Sequence, residues 1–368
     1  MQLVKIERDI LLKPLQIVSG IVERRHTLPI LTNLLLTKNG TDISFLSTNL
    51  ELQIKTITRF GIGNNHASTT VNARKLLDIL RAMPNNQEIM LSLTDSRLTV
   101  QSGKSRFILQ TLRADEFPII EQVKDFNVSL MVKKKTFRNL LSMVYFAMAH
   151  QDIRYYLNGM LLSINGDLLI AVATDSHRLA LSSIKIDDTF NHQEVILPRK
   201  TILELCRLLE GSEDTIRIDI AQTQAKFTFG HLELVAKLVS GKFPDFQRVI
   251  PNGHKNTFKI CRDKLQRSLQ RVAILTSDKF KGVRCIVTPG KLKIILKNLD
   301  QEEAQEELDI VYDGDTVDIG FNVTYLLEVL ANLKVDTIQI SLSDSNSSAL
   351  ITVPNNNEFK YIVMPMRI

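Results

Sequence analysis

The sequence predicts an α+β protein built as three tandem copies of one domain, each copy being two similar βαβββ-like halves. Three observations predict it. Segments recur after 126 residues, helix starts return with the same spacing in each third of the chain, and the apolar period switches between strand-like and helix-like inside every copy.

The offset is clearest where STNLELQI (Ser47 to Ile54) lines up with ATDSHRLA (Ala173 to Ala180), with Thr48 and Thr174 in register. Leu35-Leu36 falls on Leu161-Leu162, and Glu116-Phe117-Pro118 falls on Lys242-Phe243-Pro244, at the same offset. Helix starts carry the repeat into the third copy: Leu11, Leu15 and Val18 lie at i, i+4 and i+7, Leu265, Leu269 and Val272 reproduce them 254 residues later, and Phe137, Leu141 and Val144 fall between. The copies are expected at 1–127, 128–252 and 253–368.

In the first copy, Leu3 to Ile6 alternates as a strand and Asp9 to Val18 has the helical period. Leu34 to Leu36, Ile43 to Leu46 and Leu52 to Thr58 read as strands. Asn72 is a candidate N-cap for a second helix with Leu76, Leu77 and Leu80 on its apolar face, and strands near Ile89 to Leu93, Arg97 to Gln101 and Arg106 to Thr111 follow. Equivalent second helices are expected from Pro198, a residue suited to a first turn, to Glu210, and from Asn322 to Leu333.

The chain has 368 residues, 44% of them hydrophobic, enough for several cores. Met1 to Ile10 is charged and amphipathic where a secretion signal would be apolar, and no apolar run reaches the ~18 residues of a membrane span, so a soluble, cytoplasmic protein is expected. Cys206, Cys261 and Cys285 form no metal-binding or disulfide pattern and read as buried apolar side chains. No cofactor is expected.

The net charge of +6 favours an anionic partner, and its placement sharpens that. The six helical windows (7–20, 72–83, 134–150, 198–210, 262–274 and 322–333) hold fifteen Lys and Arg against seven Asp and Glu, a net of +8, so the rest of the chain is slightly acidic. Helices sharing one side of a sheet layer would turn a basic surface toward duplex DNA and bind it without reading sequence. The last window holds no basic residue and breaks the uniformity.

Two complementary clusters lie at opposite ends of the chain. Lys75, Arg97, Lys104 and Arg106 face an acidic run of Asp300, Glu302, Glu303, Glu306, Glu307 and Asp309, with Phe107 and Leu109 against Ile274 and Leu275 as the apolar centre. Such a pair predicts a head-to-tail contact between copies.

Catalytic motifs fail on inspection. Ser102-Gly103-Lys104-Ser105 ends like a phosphate-binding loop, but Leu98 occupies the first glycine position and a strand follows. Asp175-Ser176-His177 has the residue types of a hydrolase triad, yet neighbours in one turn cannot converge on one atom. His177-Arg178-Leu179 lacks the aspartate of a kinase catalytic loop.

Taken with the triple repeat, MAHQDIRYYLNGMLL (Met148 to Leu162), ATDSHRLAL (Ala173 to Leu181), KFPDFQRVIP (Lys242 to Pro251), GFNVTYLLEVL (Gly320 to Leu330) and YIVMPMRI (Tyr361 to Ile368) closely resemble the bacterial sliding clamps, the beta subunits of DNA polymerase III. The resemblance runs the length of the chain and implies a ring-shaped head-to-tail homodimer, helices lining the pore, sheets outside, and a non-catalytic processivity role. It also implies a pocket between the second and third copies for short linear peptides of polymerases, the clamp loader and repair proteins.

By matched segments, that pocket would use Arg154, Tyr156, Leu157, Thr174, His177, Arg178 and Leu179 from the second copy, with Pro244, Arg248 and Val249 after it. The third copy would add Asn322, Tyr325, Ser348, Ile362, Met364, Pro365, Met366 and Arg367. Apolar walls would take anchor side chains while Arg and His at the rim bind peptide carbonyls. The matched DNA-contacting positions are Arg25, Arg74, Gln151, Tyr155, Tyr156, Arg199 and Lys200. Three departures stand out: Ser176 where some clamps have glycine, Glu23-Arg24-Arg25-His26 in place of a glycine-rich loop, and Gln305 interrupting the acidic run.

Overall fold

The computed structural model describes residues 1–23, 27–210, 214–251, 253–277 and 280–367. The first copy runs β1 (Gln2–Glu7), α1 (Arg8–Val18), β2 (Asn33–Asn39), β3 (Asp42–Thr48), β4 (Leu52–Arg59), β5 (His66–Asn72), α2 (Ala73–Ala82), β6 (Glu88–Thr94), β7 (Arg97–Ser102) and β8 (Ser105–Leu112). The second runs β9 (Val128–Lys133), α3 (Lys134–Ser142), β10 (Gly159–Thr174), β11 (Arg178–Pro198), α4 (Arg199–Leu208), β12 (Thr215–Ile220), β13 (Gln224–Phe229) and β14 (Leu232–Lys237). Here β10 and β11 are long enough to do the work of two strands each. The third runs β15 (Asn256–Cys261), α5 (Arg262–Val272), β16 (Gly282–Thr288), β17 (Lys291–Lys297), β18 (Glu303–Asp309), β19 (Val317–Asn322), α6 (Val323–Asn332), β20 (Thr337–Leu342), β21 (Ala349–Val353) and β22 (Asn356–Val363).

Each copy is locked by an exchange between its halves. The opening strand leaves its own half and pairs antiparallel with the strand after the second helix: β1 with β6, β9 with β12, β15 with β20. In return β5 pairs with β2 and β19 with β16. Each half's own strands pair with one another, and the exchanged strand extends that sheet.

Copies are then joined by a seam that repeats. The last strand of the second copy, β14, runs antiparallel to β4 of the first, with Leu232 opposite Thr56 and Ala236 opposite Leu52. The last strand of the third, β22, meets β11 of the second, with Phe359 opposite Ser182 and Val363 opposite Arg178. Thr56 and Ser182, like Leu52 and Arg178, are 126 residues apart, so both seams use equivalent positions. The strands that would continue the series, β8 and β18, end with one side open along most of their length. Among the described residues, β18 closes only on β17, and β8 pairs with β7 and touches β5 through Leu112 and Thr111 alone.

The chain divides into two compact units that follow the sheets rather than the repeats. One holds Met1–Lys135 with Arg207–Leu238 and carries a twelve-stranded sheet; the other holds Thr136–Cys206 with Val239–Ile368 and carries sheets of six and four strands. In the first unit Leu11, Leu12, Leu15 and Val18 form the buried stripe of α1, and Leu76, Leu77 and Leu80 that of α2. In the second, Leu265, Leu269 and Val272 of α5 and Leu326, Val329 and Leu330 of α6 do the same. Pro14 lies inside α1 and deprives the carbonyl of Ile10, a residue 47% exposed, of its usual helical donor. A lysine is buried outright: Lys38 Nζ donates to the carbonyls of Gly40, Gly63 and Asn65 at 2.6, 3.1 and 3.0 Å, fastening the β4–β5 loop.

Three local expectations change. The helix expected over 134–150 stops at Ser142, and Val144, Phe146, Ala147 and Met148 are buried instead along an irregular segment with one 3-10 turn. Their spacing looked helical because it serves a core, not because the backbone continues. Pro198 closes β11 opposite Gly159, and α4 begins one residue later. Only Cys285 of the three cysteines is fully buried, and that burial pushes its thiol up to about 12; Cys206 and Cys261 are half-buried.

Candidate functional site

The site grows out of an apolar cluster present in both of the first two copies. In the first, Leu35, Leu46 and Phe117 pack with Ile30. In the second, the residues 126 further on, Leu161, Val172, Phe243 and Tyr156, pack with Leu179, Leu181, Ile196, Phe246, Val249 and Ile362. Extra side chains from β11, from the segment after β14 and from β22 of the third copy enlarge this cluster until it encloses a cavity of about 250 Å³. Its walls are mostly apolar. Leu157, Leu179, Phe243, Pro244, Phe246, Val249, Ile362 and Met364 line it, with Arg154, Tyr156, Thr174, Ser176 and Arg178 as the residues bearing polar groups.

The turn from β10 to β11 that forms one wall is set by its own side chains. Thr174 Oγ1 accepts from Ser176 N (3.1 Å) and donates to Arg178 O (2.6 Å), while Asp175 Oδ1 accepts from the amides of His177 (3.0 Å) and Arg178 (3.1 Å). This closes the turn with Ser176 at φ 75°, in the left-handed region. The first copy makes the same turn: Thr48 and Asn49 supply the same bonds, and Leu50 stands at φ 74°.

Arg178 lines the cavity but has little left to offer a ligand. Its Nε donates to Asp175 Oδ2 (3.1 Å), Nη1 to the Glu328 carboxylate on α6, and Nη2 to the Phe146 carbonyl (2.8 Å). The guanidinium lies over the Tyr325 ring, 4.3 Å from its centroid, and 5.7 Å from that of Phe146. A guanidinium only 7% exposed must be paired, and these contacts engage all three of its nitrogens. Burial pushes the neighbouring Tyr361 phenol well above its ordinary value, so it stays neutral and donates to Tyr325 O.

Ten of the sequence-derived pocket residues therefore come together: Arg154, Tyr156, Leu157, Thr174, Arg178, Leu179, Pro244, Val249, Ile362 and Met364. The other eight lie outside the lining. His177 stacks on Tyr325, Arg248 pairs with Asp245 in solvent, Asn322 caps α6 by accepting from Thr324 N, and the Ser348 carbonyl sits 3.3 Å from His254 Nε2. Pro365, Met366 and Arg367 continue the carboxyl-terminal segment, stitched down by Met364 N to His177 O (2.9 Å) and Met366 N to Gly320 O (2.8 Å). Sequence reasoning missed Ser176, Phe243 and Phe246. The KFPDF segment carried the signal for both phenylalanines, which flank the Pro244 it did identify.

Of the candidate DNA contacts, Arg25 falls outside the described residues. Arg74 is exposed with one arm on the Val22 carbonyl (3.1 Å), and Arg199 has one on the Met148 carbonyl (3.2 Å). Tyr155 is 76% exposed, and Gln151 takes φ 58°. Lys135 on α3, Lys75 on α2 and Lys264 and Arg267 on α5 are exposed as well. The candidate contact between copies is on open surface at one end: Lys75, Arg97, Lys104, Arg106 and Phe107 are exposed and Leu109 is half-buried. At the other end Ile274, Asp300, Glu302 and Glu303 are exposed and Leu275 is half-buried, but Glu306 is already held by Arg271, whose guanidinium keeps its carboxyl below the usual range.

Three family models cover nearly the whole chain: the DNA polymerase III beta subunit N-terminal domain at residues 1–121, its central domain at 131–245 and its C-terminal domain at 247–367. The chain belongs to the DNA polymerase III beta subunit family. Within that family it is 43% identical to a beta sliding clamp of Pseudomonas putida and 42% identical to that of Escherichia coli, each over 99% of both chains. A solved DNA polymerase III beta subunit from Pseudomonas aeruginosa superposes with a TM-score of 0.96 at 42% identity, and a Caulobacter crescentus beta sliding clamp with 0.94 at 34%, each over the full length of both chains. Among the described residues of this beta-family chain, no group of three or more His, Cys, Asp or Glu is placed to hold a metal ion, and no helix is long and apolar enough to cross a membrane.

Proposed function

We propose that this chain is a DNA sliding clamp, a non-catalytic processivity factor of DNA polymerase III acting in the cytoplasm. Two copies close head to tail around duplex DNA, contact its phosphates without reading bases, and hold polymerases, the clamp loader and repair proteins through the apolar pocket. The repeated seam carries the reading. Each copy's last strand docks on the preceding copy at equivalent positions, twice within the chain, which leaves β8 and β18 as the two halves of a third seam.

Their chemistry is complementary. Phe107 and Ile108 on β8 are 40% and 49% exposed beside Lys104 and Arg106, while β18 reads EAQEELD with its acidic residues mostly outward. An exposed apolar strand edge invites another strand, and opposite charges set which one. In the ring the basic helices face the polyanion, and interchangeable phosphate contacts let it slide. Retention is topological: the ring leaves only by opening, and the energy for that comes from another protein.

The test of the seam is charge reversal at Lys104 and Arg106 to glutamate. Sedimentation velocity should show the dimer dissociation constant raised about tenfold or more, since like charges now oppose each other across the contact. A dimer as tight as the unmodified protein's would mean that the acidic strand pairs elsewhere.

A further inference from the structure

We propose that Ser176 is a specificity-determining residue of the peptide pocket: its hydroxyl and the Arg154 guanidinium form a strap that ties two of the cavity's walls together and favours compact anchor side chains over bulky ones. The inference rests on the peptide-pocket reading above and deepens it.

Backbone conformation alone assigns nothing to Ser176. A side chain at positive φ is strained, but Leu50 occupies the same position of the same turn in the first copy at φ 74°, so this turn accepts a Cβ there. What Leu50 lacks is the hydroxyl. Ser176 Oγ accepts from Arg154 Nη2 at 2.6 Å, and both residues line the cavity.

Arg154 is anchored on its own wall. Its Nε donates to Asp152 Oδ1 (3.0 Å), its Nη2 to Oδ2 (2.9 Å) and its amide to Oδ1 (2.8 Å). Asp152 in turn is clasped by Asn158, which accepts from the Asp152 amide (2.9 Å) and donates to its carbonyl (2.8 Å). The Arg154 guanidinium holds the Asp152 carboxyl down at about 2, so the pair stays charged near neutral pH. The strap thus runs Asn158, Asp152, Arg154, Ser176, from the segment before β10 to the turn before β11.

A strapped pocket is preorganised for ligands that fit between its walls, while one that must part them first breaks a charge-assisted bond. Specificity is that difference, paid by the bulkier anchor.

The experiment uses the full-length protein and a hexapeptide it selects from a random phage-displayed library, synthesised with leucine and with tryptophan at its buried anchor. Fluorescence anisotropy on Ser176→Ala and Ser176→Gly should shift the ratio of the two dissociation constants roughly three- to tenfold toward tryptophan in both variants, and Arg154→Met should do the same. An unchanged ratio, or a shift in the glycine variant alone, overturns the strap, because the second result would trace the effect to the backbone. A peptide whose binding survives Leu179→Arg sits elsewhere, and then the pocket reading falls and the strap with it.

Discussion

Arg178 shows how a residue's role can invert between sequence and structure. Its place in the ATDSHRLAL segment, with the resemblance, puts it at a rim as a donor to peptide carbonyls. The structure puts its guanidinium inside, bonded to Asp175, Glu328 and the Phe146 carbonyl and covered by Tyr325. The difference lies in partners 32 and 150 residues away, which one sequence cannot pair. Arg178→Ala is expected to lower unfolding stability by about 3 kcal/mol, since it orphans buried acceptors, and Glu328→Gln by less than ~1 kcal/mol, since Asp175 stays as the counter-ion of Arg178 and a glutamine oxygen on a side chain 40% exposed can still accept its hydrogen bond. Urea midpoints measure both, and equal losses would contradict the assignment of Arg178 as the hub.

Elements were more legible than their ends. All six expected helices form, because apolar stripes such as Leu76, Leu77 and Leu80 read the same in sequence and in space. Asn72 caps α2 as its identity suggests, accepting from Lys75 N at 3.0 Å, so Asn72→Ala should cost about 1 kcal/mol in thermal unfolding; no loss would mean that water satisfies that amide equally well. The overlong reading of α3 has the opposite lesson. Residues 144–148 are as apolar as a helix needs, but Phe146 must reach Tyr361, 5.7 Å between ring centroids, and a continued helix is not the path the chain takes. Likewise the pocket walls from KFPDF and YIVMPMRI were partly visible as matched segments, whereas which residues face inward depends on how β22 docks on β11, a pairing far apart in sequence.

For the whole molecule, the triple repeat was readable from offsets alone, while the seams between copies were not, because the offsets say which residues correspond and not which strands meet. Once β14 is found on β4 and β22 on β11, the open strands β8 and β18 give the head-to-tail expectation from charge a structural form. In the proposed ring the basic helices supply the other half, an affinity for phosphate that needs no particular base. The central claim is that retention on DNA comes from enclosure. It is tested most directly by loading the protein with a clamp loader onto circular DNA, washing at high salt, and cutting the circle. The account predicts stable retention on the circle and rapid loss once ends are created; equal retention on cut and uncut DNA would contradict it.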